Sequence, residues 1–172
     1  MITYRELSLA DLPDRVLEVD VSEHGSVVYV WADGVLKARP EDWDRPRWTG
    51  SSWRGESWAT VLGLPGVKAW GAFDHDRLVG LAVYRPRLTE DTAQLAALFV
   101  SRSHRRHGIG TRLTDAICRE AKQEGHARLY VSATPSESAM NFYRAHGFST
   151  AREVHPALYA LEPNDIHMVK AL

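Results

Sequence analysis

The segment Arg105-Arg106-His107-Gly108-Ile109-Gly110-Thr111 has residue types and a spacing suited to holding an anion. A helix N-terminus carries four unpaired backbone N–H groups and a partial positive charge. A phosphate can lie against it if the backbone comes close. Gly108 and Gly110 remove the Cβ atoms that would block a pyrophosphate, while Arg105, Arg106 and Arg112 bring positive charge. Glycine after an arginine run could also simply begin a helix on a solvated loop; a strongly apolar run before the segment and an amphipathic one after it favour the anion reading. Two phosphate motifs do not fit. Leu113 stands where a dinucleotide fingerprint has its third glycine, and no Gly-Lys-Ser/Thr follows, as a P-loop requires. A nucleotide-binding protein of another kind stays open at this point.

Other reactive chemistry is sparse. Cys118 is the one cysteine, so neither an intrachain disulfide nor a cysteine-based metal cluster can form. The eight histidines are scattered without an HxH or HExxH pair, which removes most support for a zinc hydrolase, and no metal is expected. A length of 172 residues predicts one domain, 1–172. The net charge of -1 supplies no global field for nucleic acid or an anionic membrane. The first residues lack a basic-then-apolar signal, and no apolar run approaches the ~20 residues that span a bilayer. A cytoplasmic protein that binds neither nucleic acid nor membrane is expected, with a homodimer left open.

The elements that must position the glycine segment are legible around it. Thr92–Val100 is nearly all apolar after Gln94, as in a central strand buried on both faces. From Gly108, residues Ile109, Leu113, Ala116, Ile117 and Ala121 recur at helical spacing, with Gly125 as the stop. Leu129–Ala133 predicts a short strand and Ser136–His146 a second helix. Upstream, Ile2–Glu6 predicts a strand, and Ser8 a helix N-cap. Val27–Trp31 and Val35-Leu36 flank Asp33-Gly34 as a hairpin. Pro40 to Gly50 reads as a loop, Ser52–Leu62 as a helix, and Lys68–Phe73 with Leu78–Tyr84 as paired strands. Phe148–Val154 and Ile166–Leu172 predict the last two strands, joined by a long loop.

Leu98-Phe99-Val100 followed by Arg105-x-x-Gly108-x-Gly110 resembles the acyl-CoA-binding motif of the GNAT acetyltransferases. Ala139-x-x-x-Tyr143 and Gly147-Phe148 add a second motif in family order and spacing. The resemblance covers about residues 68–172. It implies an α/β fold of mixed α+β type, with a central twisted, mostly antiparallel sheet, a splayed parallel strand pair and flanking helices. It implies acetyl-CoA as co-substrate and transfer of its acetyl group to a primary amine of a small molecule or peptide. A non-catalytic acyl-CoA-binding or sensing module is the alternative. Leu98, Phe99 and Val100 would meet the pantetheine arm, Arg105, Arg106, His107, Gly108, Ile109, Gly110 and Thr111 the pyrophosphate, and Tyr143 would be the general acid.

The sequence departs from the family in two places. Ser136 stands where many relatives carry a CoA-contacting Asn, and Gln94 stands near a position where many carry a catalytic Glu. The base is then a water chain, a carboxylate such as Glu23, or His155 or His167. The resemblance makes residues 1–67 the acceptor side and 68–172 the acyl-CoA side. Trp31, Trp43, Trp48, Trp53 and Trp58 cluster on the acceptor side with Glu41, Asp42 and Asp44. Aromatics with carboxylates would suit a cationic amine; tryptophans that fill the core or a subunit contact are the plainer reading.

Overall fold

The computed structural model describes residues 1–50 and 60–172. Strand β1 (Ile2–Leu7) leads into helix α1 (Leu12–Arg15), continued by a 3-10 turn, and then a hairpin of β2 (Glu23–Ala32) and β3 (Val35–Arg45). Strands β4 (Lys68–Asp74), β5 (Arg77–Arg85) and β6 (Thr92–Val100) form a meander. Helix α2 (Ile109–Gln123), β7 (Arg128–Ala133), helix α3 (Glu137–Ala145), β8 (Ser149–Thr150), helix α4 (Pro156–Leu161) and β9 (Ile166–Ala171) follow. The main sheet runs β1-β4-β5-β6-β7-β9-β8, and β2-β3 pair separately. Among the described residues only β6 and β7 are parallel neighbours, matching the expected mostly antiparallel sheet with one parallel pair.

Central β5 explains why both faces are covered. Val79, Ala82 and Tyr84 pack under the helix layer of α2 and α3, while Leu81 and Val83 point to the opposite face with Leu12, Val16 and Phe73. On α2, Ile109, Leu113, Ile117 and Ala121 recur every four residues and are buried against the sheet. Gly80 lets this helix come close. A Cβ there would stand 3.0 Å from Ile109 Cγ2 and 3.2 Å from the Phe99 carbonyl oxygen.

Four sequence expectations are corrected. The stretch Pro40 to Gly50 is not all loop, because β3 continues to Arg45. Pro40 is tolerated beside a bulge at Gly25/Val27 in a two-stranded sheet, where its missing N–H leaves no central ladder incomplete. Ser8 is not the N-cap of α1; Asp11 occupies that position. Of Phe148–Val154 only Ser149 and Thr150 pair as a strand. The expected long loop contains α4, whose signal was Pro156 in the first turn. The helix expected at Ser52–Leu62 falls mostly outside the described residues; residues 60–62 are helical. Among the described residues no helix is long and apolar enough to cross a membrane.

The close approach at Gly80 gives a stability prediction. Gly80→Val drives methyl groups into the Phe99 backbone and the first turns of α2, an overpacking that costs about 1–3 kcal/mol. Thermal unfolding should show Tm lowered by several degrees. An unchanged Tm would mean that α2 does not rest on β5 at this point.

Candidate active site

Strands β6 and β7 pair only where Thr92–Gln94 meets Arg128–Tyr130 and then part. The parting coincides with a bulge on β6. Val83 faces Ala97 and Tyr84 faces Leu95, so Ala96 has no opposite residue. A bulge bends its strand and increases local twist, turning β6 away from β7. The wedge opens into a cavity of about 790 Å³. Leu95 to Val100 form one wall, Val131, Ser132 and Thr134 another, and the start of α2 lies at its rim. Leu98, Phe99 and Val100 are half-buried along this wall. Beyond Gln94, β6 and β7 no longer pair, and Leu95 to Val100 border the cavity between them.

The turn before α2 is shaped for close approach. Arg106 has φ 64° and Gly108 φ 76°, both left-handed, and a non-glycine residue held there stores strain. Nothing lies within 4 Å of a Cβ built on Gly108. Gly110 sits on the α2 side of Phe142, whose ring would be 3.0 Å from a Cβ. The Phe142 ring stacks on His146 at 4.0 Å, and His146 Nε2 hydrogen-bonds the Thr111 hydroxyl at 3.0 Å. Thus α3 steadies the turn from below.

The seven predicted turn residues do different jobs. The Arg105 guanidinium points inward, donating to the Val100 carbonyl at 3.2 Å and the Val21 carbonyl at 3.3 Å. It also pairs with Glu23 at 3.4 Å, so it braces the turn. Arg106, Gly108, Gly110 and Thr111 line the cavity; Ile109 also borders it, with its side chain in the core. The His107 side chain is exposed and is not brought to the cavity. Ser136 lines the cavity, but its Oγ accepts the Ala139 N–H at 3.2 Å and caps α3.

Tyr143 lies in the cavity wall and is 7% exposed. Burial, and then the charge of Asp165, hold its phenol well above the ordinary tyrosine value. Phe142 beside it is the more open of the two and also lines the cavity. Charged residues that sequence reasoning missed also line it, among them Arg45, Glu162 and Asp165. Burial and the Glu162 charge raise Asp165 to about 7, against the opposing pull of Arg45. No local motif marks these residues, because Arg45 arrives on β3 and the two acids near the other end of the chain.

The alternative bases have other partners or places. Gln94 is buried at the closed end, accepting from Arg85 Nη1 at 3.2 Å. Glu23 accepts from Ser138 Oγ at 2.5 Å and pairs with Arg45 at 3.8 Å as well as with Arg105. His155 does not line the cavity. His167 lines a second cleft of about 450 Å³, together with Tyr29, Trp31, Glu41, Tyr159 and Asp165. The tryptophans divide. Trp43 covers Gly25 across the hairpin and donates Nε1–H to the Val27 carbonyl at 3.1 Å. Trp48 meets Phe99 edge-on at 4.6 Å. Both are scaffold, whereas Trp31 is half open on the second cleft and Trp53 and Trp58 lie outside the described residues. Glu41 pairs with Arg39 and Asp44 with His24. Among the described residues no group of three or more His, Cys, Asp or Glu is placed to hold a metal ion.

Comparison with known proteins places this geometry in context. Residues 31–148 match the model of the acetyltransferase (GNAT) family. The uncharacterized N-acetyltransferase YsnE of Bacillus subtilis is 28% identical over 111 residues, covering 63% of this chain and 72% of that protein. Nourseothricin acetyltransferase superposes with a TM-score of 0.75 at 20% identity, covering 99% of this chain and 98% of the other. A Bacillus anthracis protein, described as a streptothricin acetyltransferase and solved in complex with acetyl coenzyme A, gives a TM-score of 0.75 at 17% identity and covers 100% and 99%.

The glycine turn gives a binding prediction. Gly110→Glu puts bulk against Phe142 and a negative charge at the start of α2. Affinity for a coenzyme A ester should fall more than tenfold, at least about 1.4 kcal/mol. Calorimetry on the folded variant checks this; an unaltered dissociation constant would remove the turn from the ligand site.

Proposed function

This chain belongs to the acetyltransferase (GNAT) family, whose acyl donor is acetyl-CoA, and we propose that it transfers the acetyl group to a primary amine of a small molecule or peptide by direct attack on the thioester. The observation that carries the reading is a single cavity running from the Gly108–Gly110 turn along Leu95 to Val100 of β6 to Tyr143. In this reading the backbone from Arg105 to Thr111 and the N-terminus of α2 hold the pyrophosphate. The cavity wall at Leu98–Val100 meets the pantetheine arm. A backbone N–H of that wall supports the oxyanion of the tetrahedral intermediate, where a preorganised donor stabilises developing charge.

Tyr143 is the group that supplies the leaving sulfur with its proton. A thiol has a pKa of about 8.5 and a tyrosine about 10, and burial lifts Tyr143 further, so it remains protonated at neutral pH. The same desolvation raises the basicity of a thiolate formed beside it. The mismatch between donor and acceptor is therefore smaller than the tyrosine shift alone implies.

The experiment is acetyl-CoA turnover, read as released thiol, against nourseothricin, spermidine, lysine and a lysine-bearing peptide. Nourseothricin comes first because the superposition with nourseothricin acetyltransferase spans almost the whole of both chains. Tyr143→Phe preserves the ring and removes the proton. It should lower kcat by roughly 10²-fold, within the usual range for a general acid, with little change in acetyl-CoA affinity. Full turnover by the variant returns Tyr143 to a packing role. Acetyl-CoA binding without turnover of any amine would favour a sensing module instead.

A further inference from the structure

Asp165 occupies a position shared by no other residue. Among the described residues it alone lines both the cavity assigned above to the acyl donor and the 450 Å³ cleft beside it. The cleft is walled by β2 of the hairpin, by the Pro135 connection ahead of α3, and by the segment from Thr150 to His167. Tyr29 N donates to the Pro135 carbonyl at 2.8 Å, pinning the hairpin wall to the rest of the molecule. Resting on the acetyl-transfer reading, we infer that the acceptor is a cationic amine that enters through this second cleft and gives its ammonium proton to Asp165.

The lining fits that ligand. Tyr29, Trp31 and Tyr159 offer aromatic faces, and Trp31 and Tyr159 are among the exposed large hydrophobic residues. A cation is attracted to such faces, and the carboxylate of Asp165 stands at the inner end of the cleft, while Glu41 is paired with Arg39 along its wall. The route also solves a spatial problem. An acceptor must reach the thioester from a side that the donor does not fill, and Asp165 marks the place where the two spaces meet.

The chemistry requires a base there. An alkylamine with a pKa near that of lysine, about 10.4, arrives protonated and cannot attack. An ordinary aspartate is too weak to receive that proton, but burial and Glu162 hold Asp165 at about 7. The charged and titratable groups around it are Arg45 on β3, Glu162 after α4, Tyr143 on α3 and His167 on β9, with Arg39 and Glu41 on the hairpin side of the cleft. Arg45 opposes the upward shift, Glu162 supports it, and Asp165 in turn raises Tyr143. His167 is a poorer base: its Nδ1 lies 3.4 Å from Ser132 Oγ, its Nε2 3.3 Å from the Glu162 carbonyl, and burial lowers its pKa.

The proton balance follows. The first ammonium proton passes to the Asp165 carboxylate and on to solvent. The freed lone pair forms the C–N bond at the thioester carbonyl, and collapse of the intermediate breaks the C–S bond. Tyr143 protonates the departing sulfur, and the second proton of the nitrogen restores the Tyr143 hydroxyl. The products are the amide, free coenzyme A and one proton released to solvent.

The test is the pH profile of kcat/KM for nourseothricin and spermidine in the wild type and in Asp165→Asn, with acetyl-CoA affinity measured in both. In the wild type kcat/KM should rise with pH and level off near 7, because the active form carries ionised Asp165. In the variant it should fall about 10²-fold at pH 7 and keep rising toward the pKa of the amine, with acetyl-CoA affinity unchanged. A break near 7 that persists in Asp165→Asn, or is absent from the wild type, overturns the base. Trp31→Ala should raise the amine KM about threefold or more; an unaltered KM overturns the route. Carbon-13 NMR of the Asp165 carboxyl in the free wild-type protein needs no turnover. Titration near 7 supports the inference, and titration in the ordinary aspartate range overturns it. A wild type that binds acetyl-CoA and acetylates neither amine, while Asp165 titrates near 7, counts against the acetyl-transfer reading instead.

Discussion

The structure turns on one interrupted ladder. Two parallel strands that paired along their whole length would bury their backbone groups in each other and leave no room between them. Here the extra residue Ala96 bends β6 as it leaves Gln94, and β7 continues instead with β9 along its full length. The two strands thereby separate inside the molecule, at the place where the chain turns into α2. The cavity follows from that bend and opens beside the helix N-terminus. The packing of α2 on Gly80 then fixes the height of the turn above the sheet.

A network of charge holds the other side of the cavity. Glu23 on β2 meets Arg105 in the turn, Arg45 on β3 and Ser138 on α3. Its value lies in geometry more than in stability, since pairs of this kind add little net free energy once desolvation is counted. It joins the hairpin, the turn and α3, three elements that share no sheet. The hairpin is also bridged to the α3 connection through Val28 and Ser136. The strained Arg106 conformation persists because Arg105 beside it is anchored to two carbonyls and a carboxylate.

Burial then sets the protonation chemistry. Tyr143 and Asp165 face the same cavity, and desolvation is the first cause of the upward shift in both. A neutral phenol is a proton donor and a carboxylate lifted toward 7 is a proton acceptor. One low-dielectric setting thus suits the two groups to the opposite tasks proposed for them. The difference arises from intrinsic pKa and not from separate environments.

The features legible in the sequence are those whose signals are local. Gly108 and Gly110 before an amphipathic repeat mark the turn and α2, because backbone clearance and helical periodicity are properties of adjacent residues. The apolar run of β6 and the two-residue hairpin turn at Asp33-Gly34 are legible for the same reason, whereas Tyr143 stood out only through the resemblance to the family. The extent of β3 was hidden by Pro40, a residue that reads as a strand breaker until its bulged, two-stranded setting is known. Long-range packing assigns Trp43 and Trp48 to the scaffold, turns Arg105 inward to brace the turn, and brings Arg45, Glu162 and Asp165 to the cavity that Tyr143 lines. Those roles depend on which distant residues become neighbours and on how much water is excluded between them, and neither quantity exists until the sheet has closed around the wedge.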